Sequence, residues 1–288
     1  MRDLIPAIEQ ALIDYSAGRV QQPLRTILRS RENEGWFGAM PAIRGGVMGA
    51  KLVAFYPRNA GRGLPTHLAT IQLFSAVTGE PLATMDGRLI TEMRTAAVSA
   101  VAVRRLSHPD IRALAILGAG VQAGSHLEAL ALVRRFGRIR IWSRNPERAR
   151  AFAGQHAIEA ASSIEEAVHD ADAVITVTSA AEPILFDEWL RPGALVVAVG
   201  AVGPERRELA SEVVRGTVVV ESREAAERES GDILLARATI DAEIGELLAD
   251  PARPIAPGRV VFKSLGMAVE DIAAARLVYE ANGGHVPA

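Results

Sequence analysis

Residues 111–124 read IRALAILGAGVQAG, a nearly continuous apolar run that stops at Gly118 and gives way to a helix-like segment. A strand this apolar has no wet face, so it belongs in a parallel sheet covered on both sides. The stop itself, Gly118-Ala119-Gly120-Val121-Gln122-Ala123, is a GxGxxA pattern between strand and helix. Gly118 permits the tight turn, Gly120 lets the backbone approach a pyrophosphate, and Ala123 allows close helix–sheet packing. The helix start at Val121 and Gln122 then faces the phosphates with its N–H groups and its positive dipole end.

The same alternation continues downstream. RIRIW (138–142), the helical PERARAFAGQH and SSIEEAVHD, ADAVITVT (171–178), GALVVAVG (193–200) and GTVVVES (216–222) follow in turn. Short buried strands alternating with helices predict an α/β fold, a Rossmann-type doubly wound parallel sheet over residues 112–262. Val177 and Thr178, ending the ADAVITVT strand, are assigned to its cofactor edge. The second strand ends in IWSRN (141–145). A residue there reaches the adenosine ribose: an acid binds the 2′-hydroxyl, whereas an arginine pairs with a 2′-phosphate. Ser143, Arg144 and Asn145 supply a hydroxyl, a cation and an amide, with no carboxylate until Glu147. The expected cofactor is NADP(H) in preference to NAD(H).

The N-terminal part reads differently. A helix over 3–17 precedes short strands around RTILRS, WFGAMPAI, AKLVAFYP and LATIQLFSA, then a turn, TGEPLATMDG, and a helix over 90–106. Grouped strands of this kind predict an α+β domain with a mostly antiparallel sheet. A last helix, 263–281, is expected to pack back onto it, so that residues 1–111 and 263–288 form one discontinuous domain. With 288 residues, 49% hydrophobic, and a formal net charge of −2, nothing points to a nucleic-acid or membrane partner. The absence of cysteine excludes disulfides and a thiolate nucleophile, and the six histidines form no HxxxH pair, so no metal is expected. The opening MRDLIPAIEQAL is too acidic for a signal peptide and no apolar run reaches membrane-spanning length, which makes the cytoplasm the expected location. Of 32 basic residues only Lys51 and Lys263 are lysine. In so arginine-rich a chain they are candidates for positions where guanidinium cannot substitute.

Further blocks carry a family resemblance. QPLRT (22–26), MPA (40–42), GAKLVAFYP (49–57), GLPTHLA (63–69), MDGRLIT (85–91), RTAAVSA (94–100), LGAGVQA (117–123), ESGD (229–232) and FKSLGMAVED (262–271) run almost from end to end. In this order they resemble the ornithine cyclodeaminase/mu-crystallin family, and IWSRN, AEPILF (181–186) and VFKSLGMAVED are most similar to its mu-crystallin, ketimine reductase branch. The resemblance implies a substrate-binding and dimerisation domain beside the nucleotide domain, a homodimer, and a substrate in the interdomain cleft. It also implies that Arg25, Lys51 and Arg94 hold the substrate carboxylate, with Lys51 and Arg94 at the reaction centre. Ser264, Leu265 and Gly266 correspond to contacts near the nicotinamide, and His67 and Asp86 are further candidates for the substrate side. The trio suits the chemistry independently: an amino or imino acid needs a cationic clamp, and a lysine whose pKa falls on burial can donate a proton.

One block departs from the family pattern. In VGAVGPERREL (199–209), Val202 stands where cyclodeaminases carry an aspartate, and no aspartate lies between Asp187 and Asp232. An aliphatic side chain cannot take a proton, which disfavours ornithine cyclisation. The expected activity is therefore NADPH-dependent reduction of a cyclic ketimine acid such as Δ1-pyrroline-2-carboxylate or Δ1-piperideine-2-carboxylate. Alternatives are an alanine-type amino-acid dehydrogenase or a cyclodeaminase on the same scaffold, and a non-catalytic mu-crystallin-like small-ligand binder.

Overall fold

The protein was analysed as a computed structural model that describes residues 1–286. It divides into two compact units, one made of Met1–Thr95 and the chain from Gly266 onward, the other of Ala96–Leu265. The chain passes between them inside a helix, α2 (Gly87–Leu106). The second half of that helix belongs to the second unit, where Ser99 bonds His126 and Arg105 caps the carbonyls of Leu247 and Arg253.

In the first unit, α1 (Leu4–Ser16) is followed by β1 (Val20–Gln21), β2 (Thr26–Arg29), β3 (Trp36–Arg44), β4 (Val47–Phe55), β5 (His67–Ser75) and β6 (Pro81–Asp86). They form an antiparallel sheet of order β1-β3-β4-β5-β6, with β2 also on β3. Alternation sets its two faces. Met40, Ala42, Val47, Val53, Ile71 and Leu73 are buried, and α1 and α9 (Ala268–Ala281) complete that core with Ile8, Leu12, Val269 and Ile272. Helix α9 comes close enough to the sheet to require a glycine: a Cβ on Gly49 would lie 2.7 Å from Ile272 Cδ1 and 2.2 Å from the Gln72 carbonyl.

Two local expectations need correction. PLATMD, read as part of a turn, is the edge strand β6, paired with β5 from Phe74↔Pro81 to Thr70↔Asp86. Only the residues up to Gly79, with φ +80°, make the turn, and proline is tolerated as the first residue of an edge strand. Helix α2 accordingly starts earlier, at Gly87, where Asp86 Oδ1 accepts a bond from Arg88 N. The last helix starts later: Val260–Lys263 is a strand buried on both faces, and Gly266, with φ +78°, breaks the chain before α9. A short run buried all round has no period to separate strand from helix.

The second unit contains β7 (Ala113–Leu117), α3 (Val121–Ala131), β8 (Arg138–Trp142), α4 (Pro146–His156), β9 (Glu159–Ala160), α5 (Ile164–Val168), β10 (Ala173–Thr176), β11 (Leu195–Ala198), β12 (Thr217–Val220), α6 (Arg223–Glu229), α7 (Gly231–Leu234), β13 (Ala242–Glu243), α8 (Ile244–Ala249) and β14 (Val260–Lys263). The sheet is parallel, in the order β13-β12-β14-β11-β10-β7-β8-β9. Strand order reverses between β7 and β10, and open α/β sheets bind ligands outside the carboxyl ends at such a switch point. No helix among the described residues is long and apolar enough to cross a membrane.

Candidate active site

The first unit buries a cluster of charge on the face of its sheet that α9 covers. Lys51, in the middle of β4 opposite Met40 and Ile71, is only 2% exposed. Its Nζ lies 2.7 Å from Asp271 Oδ2. The other oxygen of Asp271 accepts a 3.0 Å bond from Arg94 Nε, and Arg94 also donates at 2.6 Å to Glu270 Oε2. Both carboxylates are fully buried in the first turn of α9, where the helix dipole favours negative charge. Arg25 donates to the carbonyl of Gly266 at 2.9 Å. Gly266 in turn lies under the Arg94 guanidinium, where a Cβ would fall 2.4 Å from one terminal nitrogen.

Burial pushes the Lys51 ammonium down to about 8, with Arg94 and Arg25 adding to the fall and Asp271 opposing it. At neutral pH this group is charged yet able to give up its proton, as a general acid requires. His67 opens β5 opposite Phe55, on the same face as Lys51, and its buried Nε2 has no hydrogen-bond partner among the described residues. Burial first, then the charges of Lys51 and Arg94, press its imidazole down to about 4, so it is neutral at pH 7. Arg25, Lys51, Arg94 and His67 are thus brought into one electrostatic neighbourhood. Asp86 is not: it pairs with Arg88 at the exposed start of α2.

In the second unit the GxGxxA residues sit at the switch point. Gly118 follows β7 with φ +116°, and a Cβ there would lie 2.7 Å from the Val177 carbonyl beyond β10. Nothing lies within 4 Å of a Cβ built on Gly120, and the first helical residue, Val121, is 65% exposed, so the helix start is open. Ala123 is fully buried. Gln122 gives its carbonyl to His126 Nδ1, and its own side-chain Oε1 is buried without a partner among the described residues. After β8, Ser143 and Arg144 precede α4, and Arg144 is exposed with no ion pair among the described residues. Asn145 is the N-cap of α4, its Oδ1 accepting from Glu147 N and Arg148 N. This open glycine turn and exposed helix start suit the pyrophosphate of a nicotinamide dinucleotide.

Beneath that edge lies a buried polar network whose acids were assigned no role from the sequence. Glu208 is fully buried; Oε2 accepts from Thr176 Oγ1, Gly200 N and Ala201 N, and Oε1 from Thr178 N and Oγ1. Asp232 Oδ1 accepts from the amides of Glu208 and Leu209, and its Oδ2 lies 2.9 Å from Lys263 Nζ. Lys263 closes the circuit by donating to Ala201 O at 2.7 Å. Glu221 likewise accepts from Ser264 Oγ and Leu265 N, so these two expected nicotinamide contacts have buried polar partners of their own. Glu208, Asp232, Glu221, Glu270 and Asp271 were missed because an isolated acid in sequence does not reveal that it is buried. For the two α9 acids, the adjacency of Glu and Asp to an otherwise apolar helical stripe was the available signal. The two lysines that stood out in the sequence are both buried and paired to aspartate.

Comparison with known proteins agrees with this architecture. The family model for the ornithine cyclodeaminase/mu-crystallin family matches residues 1–285. The Mus musculus protein named ketimine reductase mu-crystallin is 47% identical over 285 residues, covering 96% of this chain and 91% of that one. Among solved structures, a Thermococcus litoralis Delta(1)-pyrroline-2-carboxylate reductase in complex with NADH and L-proline superposes with a TM-score of 0.92 at 35% identity, covering 100% of this chain and 96% of that one. An archaeal alanine dehydrogenase dimer with bound NAD has the same TM-score at 32% identity, covering 99% and 93%.

Proposed function

Because the chain belongs to the ornithine cyclodeaminase/mu-crystallin family, we propose that it is an imine-reducing oxidoreductase that converts a cyclic ketimine carboxylic acid to the amino acid with NADPH. The observation that carries this reading is the buried Lys51–Asp271–Arg94 cluster. Arg25, Lys51 and Arg94 outnumber Glu270 and Asp271, which favours a carboxylate ligand, and Arg can bind one in bidentate fashion. Lys51, poised near 8, supplies the proton that the imine nitrogen must carry when it is reduced. His67, being neutral, adds a polar atom without repelling an iminium. The reduced nicotinamide, when bound, supplies hydride to the imine carbon. Val202 offers no carboxylate for ammonia elimination, and Glu208 is committed to five internal donors.

The test is oxidation of NADPH and NADH with five- and six-membered cyclic ketimine acids, with pyruvate plus ammonia, and ammonia release from ornithine. Turnover of the ketimines with NADPH is expected; turnover confined to pyruvate plus ammonia, or to ornithine, overturns the assignment. Arg144 carries the cofactor preference. Loss of a charge-assisted pair of about 1.5–3 kcal/mol predicts that Arg144→Asp weakens NADPH binding roughly 10- to 150-fold with little change for NADH. Equal effects on both nucleotides would remove the 2′-phosphate argument.

We further propose that the enzyme is a homodimer joined through the uncovered face of its antiparallel sheet. In register across the strands, Leu28 pairs with Phe37, Phe37 with Ala54, and Ala54 with Leu68, while Ile43 lies further along β3. Leu28, Phe37, Ile43 and Leu68 are 64%, 41%, 37% and 41% exposed, an apolar face of the kind that marks an interface. Sedimentation equilibrium is expected to give twice the chain mass for the parent protein and monomer for Phe37→Arg; a monomeric parent would refute it.

A further inference from the structure

Asp271 touches both candidate reaction-centre cations of the buried cluster. One oxygen is 2.7 Å from Lys51 Nζ and the other 3.0 Å from Arg94 Nε. Glu270, its neighbour on α9, reaches Arg94 and also accepts from the amide of Met267, which anchors it to the helix start. Asp271 pairs directly with Lys51. From the elements around it, Lys51 faces Asp271 of α9, Arg94 of α2, Arg25 of the segment before β2, and His67 of β5, while Glu270 of α9 pairs with Arg94.

We propose that Asp271 is a positioning residue for imine reduction: by bridging Lys51 and Arg94 it keeps the Lys51 ammonium charged and oriented as the proton donor to the substrate nitrogen. This rests on the imine-reduction reading for its step, although its electrostatic half does not. In that step the Nζ–H bond breaks, its proton forms the new N–H bond, and hydride from reduced nicotinamide forms the C–H bond. Lys51 is left as a neutral amine and the nicotinamide is oxidised; solvent returns the proton. Without the aspartate, burial and two arginines would all press on Lys51 in the same direction, towards the neutral amine.

The chain has only two lysines, so protein labelled with 13C at lysine Cε shows two signals, and Lys51→Met identifies which belongs to which. In the parent protein the Lys51 signal is expected to titrate near pH 8. In Asp271→Asn its midpoint should move lower by about 1–3 pH units, the range expected when an adjacent opposite charge is lost. The alkaline fall in kcat for imine reduction should move with it, and Asp271→Glu should restore part of both. An unmoved Lys51 midpoint in Asp271→Asn overturns the proposal, as does a loss of activity with an unmoved pH profile. Should Asp271→Asn fail to fold, a parent Lys51 midpoint below about pH 6 overturns it equally, because the ammonium would then not be held charged at neutral pH. A shifted lysine in a protein inactive on every ketimine would instead count against the substrate assignment and leave the electrostatic assignment standing.

Discussion

Lys51→Met should reduce ketimine turnover about 10²- to 10⁴-fold, the range attributed to a positioned general acid. Methionine retains most of the buried volume, so the loss reports charge and proton rather than a cavity. Stability should also fall, because removing one partner of a buried pair strands the other; such breaks cost about 3–5 kcal/mol. The lower end is expected here, since Asp271 keeps its bond to Arg94. Lys51→Arg separates the two roles. It preserves positive charge but cannot release a proton at neutral pH, so binding of the amino-acid product should recover while turnover does not. The measurements are product affinity, single-turnover rate and urea unfolding of the three proteins. Turnover of Lys51→Met within about threefold of the parent would end the proton-donor assignment.

The second large effect is expected at Glu208, which lies in the same VGAVGPERREL segment as Val202. Glu208→Ala strands Thr176 Oγ1, Thr178 N and Oγ1, and Ala201 N, whereas Gly200 N keeps its bond to the Thr176 carbonyl. At about 1–3 kcal/mol for each buried donor that water cannot reach, two or three such groups cost roughly 3–6 kcal/mol, a large share of an ordinary domain's stability. The damage falls at the carboxyl ends of β10 and β11, beside the switch point, so NADPH affinity should drop with stability. Glu208→Gln replaces one acceptor oxygen by a donor that faces other donors, and should sit between the two. Thermal unfolding and NADPH titration decide it: a Gln variant that melts and binds like the parent would show that the network does not hold this edge.

Much of this was legible because it is local. The GxGxxA turn, its strand and its helix occupy adjacent residues, and the reversal from alternating to continuous hydrophobicity marks where the antiparallel sheet gives way to the parallel one. IWSRN announces an arginine in place of an acid without reference to anything distant. Lys51 and Lys263 stood out against an arginine background, and both proved to be buried ion-pair partners. Lys263, taken as the head of the last helix, and PLATMD were misassigned for a physical reason: a strand buried on both faces and a half-exposed edge strand each lack the period that identifies an element from its own residues.

What only the tertiary structure decided is which charges meet. Lys51 and Asp271 are joined by a strand and a helix far apart in the chain, and Arg94 and Glu270 by two helices, α2 and α9. Asp86, equally prominent in sequence, spends its carboxylate on the neighbouring Arg88. A side chain's residue type determines what it can donate or accept. Its burial and its partner determine whether it holds a proton at pH 7, and both of those depend on long-range packing that no local pattern encodes.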